Sequence, residues 1–196
     1  AASDVYKRQE IAFEDAYNAF KEIVIAGDKA GADLILIETV SDSYEIKAAV
    51  LAAKENSDLP VVVTMIFDES GKLLTGGDVA SVTAMLEGLD VDAIGFNCGL
   101  GPEQMLKLLP ELTSCCSIPI AINPNAGLPV VIDGVTQFNV GPEEFAAKAK
   151  LLVEEGASMI GGCCGTTPGH LAELVRTCKG MDIQPVTDKL SLIHIS

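Results

Sequence analysis

The sequence predicts an α/β chain comprising about the last five β-α units of an eight-stranded, TIM-type (β/α)8 barrel. Three observations carry this expectation. Short apolar runs recur without apolar/polar alternation, which suits strands buried on both faces of a parallel sheet. Amphipathic stretches of helical period separate them. The polar residues able to do chemistry fall at the C-terminal ends of the runs. A barrel brings all those ends onto one rim, whereas an open doubly wound sheet concentrates its site at one switch point.

Taken in order, a first helix is expected over Phe13–Ala30, closed by Gly31, before a strand at Asp33–Glu38 that ends in Glu38 and Thr39. A helix at Ser43–Glu55 leads to a strand at Val61–Ile66 carrying Thr64. A helix at Asp78–Leu89 precedes the strand Ala93–Asn97, which ends in Asn97 and Cys98. Pro102 suits the first turn of a helix over Pro102–Leu112, and the strand Ile118–Ile122 runs into Asn123. A loop of about twenty residues, Asn123 to Gly141, follows; loops that long inside a compact domain usually carry function. A helix at Pro142–Glu155, closed by Gly156, reaches the last strand at Ser158–Gly161, which delivers Cys163 and Cys164. The last helix is expected over Pro168–Lys179.

Composition narrows the function classes. With 48% hydrophobic residues the chain can bury a core, which argues against disorder. A net charge of −15 argues against a nucleic-acid or anionic-membrane surface, because phosphate binding needs clustered Lys and Arg. No apolar run approaches the ~18 residues of a membrane span, and no signal-peptide core is visible at the N-terminus. Six cysteines without an export signal favour reduced thiols in a cytoplasmic setting over a disulfide framework. Residues 1–9 (AASDVYKRQ) and 190–196 (LSLIHIS) resemble translated sequencing-adaptor ends and are set apart from the fold, so His194 carries no functional expectation. The expected domain is residues 10–180, with residues 181–196 as a tail, and the natural protein is expected to extend further.

The cysteines offer the sharpest chemistry. A vicinal pair alone is weak: two small buried residues, a strained vicinal disulfide and a metal site are all open readings. Cys115-Cys116 has no glycine frame and precedes a strand, away from the expected rim, which reads as structural; Cys178, late in the last helix, reads as core or surface. Cys163-Cys164 sits in Gly161-Gly162-Cys163-Cys164-Gly165-Thr166-Thr167-Pro168, where glycine allows a sharp turn. Adjacent residues of an extended chain point to opposite faces, so both thiols reach one metal only through such a turn. Cys98 can supply a third thiolate from another strand end. Three protein ligands with one open position is the pattern of a catalytic zinc, and soft thiolates favour zinc over magnesium or calcium.

The segments Leu73–Gly76, Asp92–Met105, Pro124–Pro129 and Gly161–Pro168 together resemble the homocysteine S-methyltransferase family, from about Ile11 to Lys179. The Asn-Ala-Gly-Leu-Pro stretch is most similar to the homocysteine-binding domain of the cobalamin-dependent methionine synthase branch. The resemblance implies a barrel with a zinc held by Cys98, Cys163 and Cys164, and a methyl transfer to the thiol of homocysteine that yields methionine. It matches Glu38 to a strand-end glutamate holding the homocysteine amino group, against the plainer reading of a rim or capping carboxylate. It makes Asn97 a substrate-side residue that orients the site, and leaves His170 a capping or supporting group more than a ligand. Methylcobalamin is implied as methyl donor, recharged from methyltetrahydrofolate, on modules outside this chain. The resemblance also implies that the barrel's first three strands lie outside this sequence. Two alternatives stand beside this reading: a stand-alone enzyme using S-methylmethionine or betaine, and an inactive truncated fragment with an open sheet edge.

Overall fold

The computed structural model describes residues 11–189; the adaptor-like ends, His194 included, lie outside them. Six helices and seven strands are described. In chain order they are α1 (Phe13–Lys29), β1 (Ile35–Val40), α2 (Ser43–Asn56), β2 (Val61–Met65), α3 (Val79–Gly88), β3 (Ala93–Asn97), α4 (Pro102–Cys115), β4 (Ile120–Asn123), β5 (Pro129–Ile132), β6 (Val135–Phe138), α5 (Pro142–Glu154), β7 (Met159–Ile160) and α6 (Pro168–Cys178). Five strands form one parallel sheet in the order β1-β2-β3-β4-β7, each β-α unit laying its strand beside the last. Closure into a barrel needs further strands along the open edges β1 and β7, and the described residues supply none.

Local signals explain the helix boundaries. Asp42 Oδ1 accepts from the Tyr44 and Glu45 amides at 2.7 and 3.0 Å, so α2 starts with its free N–H groups satisfied. Asp78 and Ser81 form a reciprocal capping box on α3, and hydrogen bonds from Ser81 and Lys72 hold the Asp78 carboxyl far below the usual carboxylate range. Pro102, Pro142 and Pro168 each open a helix, as expected. α4 runs beyond its expected end at Leu112 to Cys115, although Pro110 inside it forfeits one main-chain bond.

The strands partition the sheet into two faces. Val61, Val63, Met65, Ile94, Phe96, Ile120 and Ile122 pack under the helices with Val50, Leu86, Leu109, Leu112 and Leu152. Each fully buried aliphatic or aromatic side chain there contributes about 1.5–3 kcal/mol. The opposite face carries small residues: Val62, Ala93 and Ala121 form their own cluster, with Thr64 and Asn97 fully buried. Leu36 and Met159, on the two edge strands in register with Val62 and Ala121, remain 46% and 39% exposed.

Two sequence expectations change. The first strand lies at Ile35–Val40, two residues later than expected, and its pairing with β2 slips between Ile37 and Val40. The stretch Asn123–Gly141, expected as a long loop, contains the antiparallel hairpin β5–β6, turned at Asp133-Gly134 with both residues at positive φ. The tail past α6 is irregular but tied down. Gln184 Nε2 donates to the Glu154 carbonyl at 2.8 Å and Lys189 Nζ to the Thr113 carbonyl at 2.7 Å, occupying carbonyls that the ends of α5 and α4 leave free.

Candidate metal centre

Three cysteine sulfurs converge where β3 and β7 end. Cys98 follows β3 directly, with φ 57°, a left-handed conformation uncommon for any residue but glycine. Its amide donates to the Asn123 carbonyl at 3.2 Å, so β4 holds it after regular pairing stops. Cys163 and Cys164 sit in a tight turn: the Thr166 amide and hydroxyl both donate to the Cys163 carbonyl, at 3.2 and 2.6 Å. Gly165 completes the turn at φ 79° and lies directly against Phe138 of β6.

The residues after β4 clamp this turn. The Cys163 amide donates to the Pro124 carbonyl at 2.9 Å, the Cys164 amide to Asn125 Oδ1 at 3.0 Å, and the Ala126 amide to the Cys164 carbonyl at 2.9 Å. Asn125 is 3% exposed, so its side chain is a fixed part of the loop. Neither periodicity nor composition marks this clamp. Its visible signal was a strand ending in Asn123-Pro124-Asn125, polar residues where a rim is expected.

The sulfurs lie 3.7 Å apart for Cys98–Cys164 and 3.9 Å for Cys163–Cys164, and all three fall within 4.8 Å of one another. A tetrahedral zinc with Zn–S bonds of about 2.3 Å separates its sulfurs by about 3.8 Å. The two separations at Cys164 match the edges of such a tetrahedron, and the third pair lies within 4.8 Å. Cys98 and Cys163 are half-buried and Cys164 is exposed, which leaves the cluster a side facing solvent. Burial pushes the Cys163 thiol up to about 12, with the neighbouring Cys98 and Cys164 adding to the effect; burial and Cys98 push Cys164 up as well. Three thiolates this close repel one another, and a bound dication reverses that penalty. The donor set thus fits a borderline-soft metal such as zinc.

Of the other sequence candidates, Asn97 adjoins the cluster. Asn97 is fully buried: its Oδ1 accepts from the Thr39 amide at 2.9 Å, and its Nδ2 donates to Thr39 Oγ1 at 2.6 Å and lies 4.0 Å from Cys163 Sγ. Glu38, the residue before Thr39, is exposed, and its carboxylate makes no hydrogen bond or ion pair among the described residues. Thr39 itself has φ 63°, a genuine outlier for a β-branched residue and one that costs on the order of 1–3 kcal/mol. His170 is no part of the sulfur cluster. The Thr167 amide donates to its Nδ1 at 3.2 Å, which leaves Nε2–H to donate to the Val140 carbonyl at 2.9 Å, so it caps α6 and ties that helix to the hairpin.

Cys115 and Cys116 lie elsewhere. Cys115 Sγ donates to the Glu111 carbonyl at 3.3 Å, and buried Cys116 is pushed up to about 12 by its desolvation. Neither joins a metal-ligating group.

A sequence model of the family described as homocysteine S-methyltransferase matches residues 1–178. Methionine synthases of Mycobacterium leprae and Mycobacterium tuberculosis are each 37% identical over 163 residues, covering 80% of this chain and 14% of those proteins. The chain thus spans about a seventh of the curated relatives it matches. Among solved structures, the apo form of the homocysteine methyltransferase MmuM from Escherichia coli superposes with a TM-score of 0.67 at 28% identity, over 82% of this chain and 57% of that one. Its metallated form gives 0.66 at 28%, over 81% and 51%. The carboxyl transferase domain of Rhizobium etli pyruvate carboxylase, 18% identical with a TM-score of 0.56 over 84% of this chain and 28% of that one, shares the fold alone.

Proposed function

Because the chain belongs to the homocysteine S-methyltransferase family, we propose that it is the zinc-holding, homocysteine-binding part of a methyltransferase of the cobalamin-dependent methionine synthase type. The observation that carries this reading is the convergence of Cys98, Cys163 and Cys164 sulfurs within 4.8 Å at two strand ends. We read the five-stranded sheet as part of a (β/α)8 barrel; the 57% coverage of MmuM supports a substantial share of the fold lying outside this chain.

In this reading Cys98, Cys163 and Cys164 hold one zinc. A zinc bound there supplies a Lewis acid that favours the deprotonated, nucleophilic form of a thiol at neutral pH. The chain's own residues do the rest. The clamp from Pro124, Asn125 and Ala126 fixes the vicinal pair, and buried Asn97 fixes the end of β1 against Cys163. The free Glu38 carboxylate holds the substrate's ammonium group and so orients homocysteine with its sulfur toward the cysteines. The methyl donor comes from another module: methylcobalamin recharged from methyltetrahydrofolate. The greater identity to methionine synthases, 37% against 28% for MmuM, supports this over a stand-alone enzyme using S-methylmethionine or betaine. No helix of the described residues is long and apolar enough to cross a membrane, and six unpaired cysteines suit a reducing cytoplasm.

The test is metal analysis of a full-length version carrying the complete domain, followed by calorimetric titration with L-homocysteine. One zinc per complete domain and homocysteine binding that disappears on chelation are expected. Zinc-free protein that refuses added zinc, or homocysteine binding unaffected by chelation, refutes the reading. Methyl transfer from free methylcobalamin, but not from S-methylmethionine or betaine, separates the first reading from the stand-alone alternative.

A further inference from the structure

We propose that Thr39 is a positioning residue: kept out of the core by the β1 bulge and pinned in a left-handed conformation by Asn97, it fixes the backbone that carries the Glu38 carboxylate, and so sets how tightly the site takes the amino group of its amino-acid thiol. The proposal rests on the homocysteine reading above.

Strand alternation shows what the bulge does. Ile35 and Ile37 pack on the helix-covered face of the sheet. Unbroken alternation would send Thr39 into that core and Val40 out of it. Instead the pairing steps from Ile37↔Val63 to Val40↔Met65, so Glu38 and Thr39 together stand opposite the single residue Thr64. Val40 then enters the core, 8% exposed, while Glu38 and Thr39 both stay out of it. The buried Thr64 hydroxyl, opposite the bulge, has no hydrogen-bond partner among the described residues.

A β-branched residue at φ 63° persists only where its surroundings hold it. Here the holder is one fully buried amide 58 residues along the chain, bonded to Thr39 through both its amide and its hydroxyl. The same Asn97 Nδ2 lies 4.0 Å from Cys163 Sγ. One rigid side chain therefore references both the residue beside Glu38 and a cysteine of the cluster. The carboxylate itself spends no bond on the fold, which leaves it free for a ligand.

The test compares two thiols on zinc-loaded protein: L-homocysteine and 4-mercaptobutyrate, which lacks the amino group. Thr39→Val keeps the shape but loses the hydroxyl bond to Asn97. It is expected to raise the homocysteine Kd about tenfold, the factor one ordinary hydrogen bond is worth, with 4-mercaptobutyrate within about twofold of wild type and zinc content unchanged. Thr39→Ser restores the hydroxyl and should restore homocysteine affinity. If Thr39→Val fails to fold, Thr39→Gly, which takes positive φ freely but lacks the hydroxyl, should give the same selective loss. Homocysteine affinity unchanged in both Val and Gly variants overturns the proposal, and so does an equal loss for both thiols or a loss of zinc. Wild-type protein that holds zinc but binds both thiols equally overturns instead the amino-group recognition on which the proposal rests.

Discussion

Gly165 offers the most direct test of how the cysteine turn is held. A methyl built on it would stand 2.5 Å from Phe138 Cβ and 2.6 Å from Cδ2, near the root of that side chain. A rotamer change cannot clear such an overlap, so the hairpin or the cysteine turn has to move. Gly165→Ala therefore meets two penalties. The left-handed backbone at φ 79° costs a non-glycine residue about 1 kcal/mol, and the overlap costs about 1–3 kcal/mol more. The expected loss is about 2–4 kcal/mol, a large share of the 5–15 kcal/mol typical of a folded domain. With a urea m-value of about 2 kcal/mol/M, the unfolding midpoint should fall by about 1–2 M. Because Gly165 follows Cys164 directly, zinc affinity should weaken about tenfold or more, as for other residues that orient ligands. Adding Phe138→Ala removes the overlap but not the backbone strain, so the double variant should lose less than the sum of the singles, by about 1–3 kcal/mol. A Gly165→Ala protein within about 0.5 kcal/mol of wild type with unchanged zinc affinity would refute this account of the turn.

Other outcomes follow from the same geometry. Cys98→Ala, Cys163→Ala and Cys164→Ala should each abolish stoichiometric zinc by elemental analysis, whereas Cys115→Ala should leave it intact; zinc retained by Cys98→Ala would remove that residue from the site. Zinc binding should tighten as pH rises through neutrality. With Cys163 at about 12 and Cys164 raised, the metal-free thiols are protonated and must release protons on binding. Calorimetry in buffers of different ionisation heat reads that release, and a buffer-independent heat contradicts it. His170→Ala should cost about 1–2 kcal/mol in thermal or urea unfolding through loss of the α6 cap and the Val140 bond, with zinc stoichiometry unchanged. His170→Asn, which keeps an acceptor for the Thr167 amide, should recover part of that stability.

Much of the fold was legible in the residues because its signals are local. Apolar runs, prolines at helix starts and the glycines at 31 and 156 report on their own few neighbours, and the structure places strands and helices within a few residues of where they point. The hairpin β5–β6 was missed because Val130, Val131, Ile132 and Val135 are apolar yet exposed, so burial periodicity carried no signal there. The Asp133-Gly134 turn was the one local cue. The bulge in β1 was invisible for another reason. It depends on Asn97, a partner 58 residues away, and no local pattern encodes such a bond.

The sequence by itself singled out the candidates for chemistry: thiols at the ends of two apolar runs, one of them paired within glycine, and a carboxylate at the end of another. Those are properties of residue type and local backbone freedom. Only the tertiary structure decided their arrangement. It brings three sulfurs from positions 98, 163 and 164 within 4.8 Å, holds the Cys164 amide on Asn125, and keeps Thr39 beside Glu38 out of the core through a bulge pinned by Asn97. The physical reason is that distances of this kind are set by parallel strand register and by buried hydrogen bonds between distant residues. Neither exists until the sheet has formed.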